Sequence, residues 1–324
     1  MRTAARLGAT VVGLAAVFGA ATGVGALVGP VGSAAAEAPA GAGHAADEGH
    51  PDPSAAADPT ARADAALPGG LQVSDRGYTL DLVADELPAG TSPLAFRILG
   101  PDGAPVTDYE VDHDEDLHLV AVRRDLTGYQ HVHPELGADG TWSTPLELTP
   151  RSWRVFTDTT PAALGEDLTL GADLAVAGDH RPQPLPAPSP TAEVDGYTVV
   201  LTGGLVPGRE SGLTLGVSRD GVPVTDLQPH LGAYGHLVAL RAGDLGYLHV
   251  HPVGDPADPA TAPGPHVEFA ATAPSAGDYR LFLDFRHGDV VRTAEFTVHA
   301  GSGPAADVPA AAGPDAAGHG HGDD

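Results

Sequence analysis

Three histidines occur twice in this chain at a constant offset of 118 residues. His118, His131 and His133 lie in LHLVAVRRDLTGYQHVHP (117–134), and His236, His249 and His251 lie in GHLVALRAGDLGYLHVHP (235–252). Imidazole is the commonest protein ligand for zinc, copper and nickel, so three at strand-compatible spacing could supply most of one metal site. Side chains at i and i+2 of a strand share a face and stand roughly 6–7 Å apart, close enough for His131 and His133 to reach one ion. If HLVAV and YQHVHP are hairpin neighbours joined through the turn at 125–128, His118 lies across from that pair. The same reading applies to His236 with His249 and His251, giving two similar sites per chain and close to two bound ions. Three protein ligands leave a position open, as delivery, sensing or a bound water would need. A further carboxylate could come from Asp108 or Asp158, or from Asp226 or Asp284 in the second copy; no spacing rule selects one.

The rest of the inventory narrows the ion. The chain has no cysteine and a single methionine, the initiator. Thiolate zinc, blue-copper and methionine-based Cu(I) sites are therefore excluded, and His with carboxylate suits Cu(II) or Zn(II). The charge is lopsided, 43 acidic residues against 16 basic ones, for a net charge of -27. Nucleic acid is excluded as a partner, since a phosphate backbone demands basic patches. Metal ions are the natural attraction, with an envelope metal transporter or metalloprotein as recipient. A second metal-attracting element is the C-terminal GHGHGDD, in which His319 and His321 would bind divalent ions weakly and without fixed geometry.

The elements that must position these residues read as short strands. Segments 106–134 and 224–252 align without a gap, with 14 identities in 29 positions. The duplication extends to a later strand, where Trp153 aligns with Tyr279, Phe156 with Phe282 and Asp158 with Asp284. GYTLDLVAD, LAFRILG, LHLVAV, TPLELTP and WRVFTD alternate apolar and polar residues between Gly, Pro and Asp clusters, and the second copy answers in kind. About seven strands in about 110 residues predict an all-β chain of two tandem immunoglobulin-like β-sandwich domains with disordered termini. Residues 69–180 and 193–299 form the two units, joined by a proline-rich linker at 181–192. Residues 39–68 read as a disordered tether and 300–324 as a disordered His/Asp tail. Residues 1–38 carry Arg2 and Arg6, a long apolar run and small-residue cleavage sites, so they read as a signal peptide or an N-terminal membrane anchor. Both readings place the remainder outside the cytoplasm, secreted or held to the membrane by its N-terminus.

The pattern Pro-Val-Thr-Asp, then Gly-x-x-x-His-Leu-Val, then Tyr-x-His-Val-His-Pro, then Tyr-Arg-Leu-Phe-x-Asp-Phe is fullest at 223–285. It resembles the repeat of exported bacterial proteins of hypothetical or heavy-metal-binding type. That resemblance covers both units and implies an envelope β-sandwich linked to metal. More distantly the chain is similar to the CopC-like and PCuAC-like periplasmic copper carriers. The latter use methionine, which is missing here.

A plainer reading stands beside the metallic one. Histidines on a half-buried strand could serve only to pin the corner before Pro134 and Pro252, in a structural or adhesive cell-surface module. A metal-dependent enzyme is a third class, since a three-histidine site can activate water; no serine elbow, cysteine or recurrent general-base carboxylate accompanies it. His113 and His230 lie near the block but fall one position out of register, and His180, His266, His287 and His299 have no counterpart in the other copy.

Overall fold

The computed structural model describes residues 67–301 except His249, and all of them belong to one compact unit spanning Asp64–Asp324. The predicted export segment, most of the tether, the tail from 302 onward and His249 lie outside the described residues; Ala300, the first residue of the predicted disordered tail, is instead the buried end of the last strand. Among the described residues every regular element is a strand, and each repeat is an immunoglobulin-like sandwich of two sheets.

In the first repeat the strands are β1 (Ser74–Asp75), β2 (Tyr78–Leu82), β3 (Glu86–Leu87), β4 (Gly90–Leu99), β5 (Tyr109–Glu110), β6 (Leu117–Arg123), β7 (Gln130–Val132), β8 (Glu135–Leu136), β9 (Trp142–Leu148), β10 (Arg151–Pro161) and β11 (Leu168–Val176). One sheet runs β1-β2-β4-β9-β8; the other runs β3-β11-β10-β6-β7, with β5 on β10. The second repeat comprises β12 (Thr191–Val194), β13 (Tyr197–Gly203), β14 (Glu210–Arg219), β15 (Val222–Pro223), β16 (His236–Arg241), β17 (Tyr247–Leu248), β18 (Val250–Val253), β19 (His266–Thr272), β20 (Gly277–His287) and β21 (Val290–Ala300). Its sheets run β12-β13-β14-β19-β18, with β15 on β14, and β17-β16-β20-β21. The end of the predicted linker, Thr191 and Ala192, is already strand.

Strand β9, WSTPLEL, alternates buried and exposed residues, as expected of a sheet with one face in water. Strands β6 and β16 do not. LHLVAV and HLVAL are buried at every position, which requires cover on both faces. Leu117, Leu119 and Ala121 enter the core of their own sandwich, and Leu237 and Ala239 do the same in the second repeat. The opposite faces meet. Val120, Val122, Leu126 and Phe156 pack with Val238, Leu240, Leu245 and Phe282 in a separate apolar cluster. Every member has a counterpart from the other repeat, so the seam is an isologous, two-fold-like interface made within one chain. Tyr129 stacks on Phe282 at 4.1 Å and 5°, and Tyr247 tilts against Phe156 at 5.5 Å.

Two further features fix the seam. Leu126 and Leu245 occupy the left-handed region at φ 62° and 64°, a conformation that costs a leucine about 1–3 kcal/mol and here turns a side chain that is 4% or 0% exposed into the shared cluster. The segment entering the first repeat runs between the two sandwiches: Tyr247 N donates to Gly69 O at 3.0 Å, Gly70 N to Thr169 O at 2.9 Å, and Arg154 grips the Gly70 and Leu71 carbonyls. The linker is docked rather than free, with Gln183 N bonded to Asp125 Oδ2 at 2.8 Å and Leu185 packed against the seam.

A Cβ at Gly171 would sit 2.1 Å from the Gly70 carbonyl oxygen, whereas one at Gly204 would meet nothing within 4 Å. Gly171→Ala should therefore cost about 1–3 kcal/mol and lower the melting temperature seen by calorimetry, with Gly204→Ala close to wild type.

Candidate metal centre

The histidine block sits where the chain changes sheets. In the first repeat β7 pairs with β6, placing Val132 opposite Leu119 and His131 opposite Val120, and the chain then crosses at His133 and Pro134 to join β9 through β8. His118, at the start of β6, is opposite Asp158 of β10. The hairpin thus brings His118, His131 and His133 together. Their ring nitrogens lie within 4.8 Å of one another, and the ring centroids are 5.3, 5.0 and 5.1 Å apart. Three imidazoles on one tetrahedral ion, each nitrogen about 2.0–2.1 Å from the metal, would place their centroids about 5 Å apart.

The hydrogen bonds assign the ring protons. His118 Nε2 lies 3.1 Å from the carbonyl oxygen of Asp112, which can only accept, so Nε2 carries the hydrogen and Nδ1 the lone pair. His131 Nδ1 lies 3.0 Å from Asp284 Oδ2 and donates to it, leaving the lone pair on Nε2. Those two lone-pair nitrogens face each other at 3.1 Å. Lone pairs so disposed would repel, so a contact this short calls for something positive between the nitrogens, a second proton on His131 that makes a hydrogen bond to His118 or a metal ion. Two nitrogens on one tetrahedral zinc would be about 3.3–3.4 Å apart. The Nε2 of His133 is buried and finds no hydrogen-bond partner among the described residues.

The second repeat contributes to the same place. His236 Nε2 bonds the carbonyls of His230 and Leu231 at 3.0 and 2.9 Å, reproducing the His118–Asp112 bond. Its ring lies 6.3 Å from that of His118 and 6.2 Å from that of His131. Instead of two sites apart, one per domain, the repeats face their histidines toward each other across the seam. His249 lies outside the described residues. His251, on β18, pairs with Ala270 and is exposed, yet borders the same cleft as His113, His118, His131, Asp158 and His236. His319 and His321 also lie outside the described residues.

Of the four proposed carboxylates, Asp284 touches His131 directly and Asp158 lines the cleft, bonded by Thr169 Oγ1 at 2.9 Å. Asp226 lies against His287 at 3.1 Å instead, and Asp108 uses its carbonyl to cap Ala162. Two histidines set aside from the sequence belong to the cluster: His113 is 5.1 Å from the ring of His236, and His230 is 6.1 Å from it. Both sit on tight two-residue turns of the same form. Asp112 and Glu115 exchange backbone bonds around His113 and Asp114, and His230 and Ala233 do so around Leu231 and Gly232, with all four central residues at φ between 50° and 69°. The turns match residue for residue while the histidine has moved by one position, which is why alignment discounted it.

Burial holds these imidazoles neutral. Desolvation, reinforced by the His131 ring, lowers His118 to about 4 and His236 to about 3; it also lowers His133 to about 3 and, by desolvation first, depresses His230. Neutral rings are what ligation requires. Tyr129 and Tyr247 are pushed well above 10 by burial, so each keeps its phenolic proton, and the Tyr129 hydroxyl donates a hydrogen bond to Asp284 Oδ2 at 3.2 Å.

A histidine whose value falls from 6.5 to between 3 and 4 binds fewer protons folded than unfolded across that interval, so stability is retained above pH 6.5 and lost as pH falls toward 4. Metal-free protein should melt progressively lower between pH 7 and pH 4.5. His236→Gln, which keeps a donor for the two carbonyls, should flatten that slope; a melting temperature independent of pH over this range would contradict neutral packing.

No curated protein sequence matches this chain. Among solved structures the fold is similar to FdeC, a broadly conserved Escherichia coli adhesin, at 17% identity over 72% of this chain and 65% of that one, with TM-score 0.23. It is similar to the Yersinia pseudotuberculosis adhesin InvE at 12% identity over 71% and 60%, TM-score 0.21, and to invasin, a bacterial integrin-binding protein, at 12% over 70% and 40%, TM-score 0.21. The chain spans less than two thirds of each of these, and at such TM-scores the likeness carries no argument about ligand or function. A sequence family described as Domain of unknown function (DUF8832) matches residues 72–178 and again 192–302. This chain, carrying two copies of that domain over most of its length, belongs to the DUF8832 family.

Proposed function

We propose that this is an extracytoplasmic metal-binding protein that holds Zn(II) or Cu(II) through His118, His131 and His133 and buffers the ion or passes it on. The observation that carries the reading is the pair of nitrogens His118 Nδ1 and His131 Nε2, set 3.1 Å apart, with a ring nitrogen of His133 within 4.8 Å of the other two rings' donor atoms. A cation between them converts a repulsive contact into three coordinate bonds. The chain has no thiol, its one thioether is Met1, and a nitrogen-only set favours divalent borderline ions. The placement outside the cytoplasm rests on the composition of residues 1–38, and the copper-carrier resemblance rests on the His-Val-His-Pro block alone. Handing the ion to an envelope transporter or metalloprotein is supported by the fourth position that three protein ligands would leave and by the net charge of -27.

One observation favours a second reading, a structural or adhesive surface module. His118, His131 and His236 each already have a hydrogen-bond partner within the protein, so they could serve packing alone.

Metal analysis and calorimetric titration separate the two. On the metal reading, purified protein binds at least one Zn(II) or Cu(II) tightly, deletion of 302–324, which spares the buried Ala300 at the end of β21, leaves that ion in place, and joint replacement of His131 and His133 by Ala abolishes it. Because burial lowers His118 to about 4 and His133 to about 3, protonation of these two ligands should weaken the ion only as pH falls toward 4. Binding that vanishes with the tail, or a stoichiometry unchanged in the double variant, would overturn it; the structural reading expects that variant to lose melting temperature without metal and to bind no less than wild type.

A further inference from the structure

Asp284 belongs to the second repeat, yet its carboxylate is spent on the first. It lies on β20, opposite His236, and is 3% exposed. Thr293 Oγ1 on the neighbouring strand donates to Oδ1 at 2.5 Å and fixes the group, while Oδ2 accepts from His131 Nδ1 at 3.0 Å and from Tyr129 OH at 3.2 Å. All of the partners of Oδ2 come from across the seam. The arrangement is built rather than accidental, because the first repeat prepares the same pair: Asp158 lies opposite His118 and accepts from Thr169 Oγ1 at 2.9 Å.

A carboxylate on one ring nitrogen of a metal-binding histidine dictates which nitrogen is left for the ion, holds the ring plane and raises its basicity. Resting on the metal reading above, we infer that Asp284 is a positioning residue for the ion held by His118, His131 and His133, so that the first repeat's metal site is complete only when the second repeat is docked against it. Asp284 is not itself one of the converging donors; it acts through His131. The coupling is reciprocal by linkage: an ion bound to the trio strengthens the docking of the two repeats, and whatever loosens the seam weakens the ion. The chain therefore behaves as one metal-locked unit and not as two independent carriers on a string.

The test uses the chain without residues 302–324, which leaves β21 whole, and Zn(II) as probe. In metal-free wild type, nitrogen-15 spectra of the ring should show His131 protonated on Nδ1; protonation on Nε2 alone overturns the inference without requiring any variant. Asp284→Asn should weaken Zn(II) binding by about 10–100-fold at unchanged stoichiometry and remove the Nδ1-bound bias of His131, and Asp284→Glu should recover part of the affinity. Wild-type affinity in Asp284→Asn with the His131 tautomer retained overturns the proposal, even if His131→Ala with His133→Ala abolishes binding. Binding that the double histidine variant leaves intact instead removes the metal reading itself.

Discussion

The face-to-face burial of β6 against β16 is the constraint on which the remainder of the structure rests. Each strand carries apolar side chains on both of its faces, and neither sandwich could leave Val120 and Val122, or Val238 and Leu240, in water without exposing a contiguous apolar patch. Covering those patches with each other buries Phe156, Phe282 and the two tyrosines. It also supports the left-handed leucines at the hairpin tips, whose backbone cost is offset by the cluster they complete. The histidines lie at the end of this seam. Their desolvation, their depressed basicity and the reach of Asp284 across to His131 all follow from how closely the apolar part of the interface brings the two sheets.

Polar logic then takes over from packing. A carbonyl accepts and cannot donate, so Asp112 O and His230 O decide which nitrogen of His118 and His236 bears a hydrogen. A carboxylate decides the same for His131. Once these outer contacts are set, the inner nitrogens have no freedom left, and a group of rings that might have paired off with one another points its lone pairs inward instead. The electrostatic cost of that arrangement is what supports the proposed metal site, and a proton between His118 Nδ1 and His131 Nε2 is the other way to relieve it.

Much of the architecture was legible in the chain. The gapless repeat, the alternation of β9 and the turn residues between short runs are local signals, and they lead to paired sandwiches. Strand periodicity puts His131 and His133 on one face, and the turn at 125–128 suggests the hairpin with His118 that β6 and β7 form. The meeting of the repeats was also signalled, by the unbroken apolar run LHLVAV, but such a run also suits an ordinary core strand, and periodicity cannot say what covers its second face. His113 and His230 were discounted because sequence alignment compares side chains position by position, whereas the two turns agree in backbone and differ in which corner carries the imidazole. Asp284 was visible as a candidate ligand; that it serves His131 of the other repeat depends on a distance between residues 153 apart in sequence, which no spacing rule reaches.

The docked linker gives the tandem arrangement a freedom that a symmetric dimer lacks. Two identical subunits meeting on a two-fold axis must present every side chain twice. By tying the halves together through 181–192, the chain replaces a bimolecular encounter with an internal one at an effective concentration on the order of millimolar, and each half is then encoded separately. One tight turn can carry its imidazole at His113 and the opposite turn at His230. A pseudo-symmetric shell thereby encloses a chemically lopsided interior, in which one side of the cleft can specialise while the other only has to keep its shape.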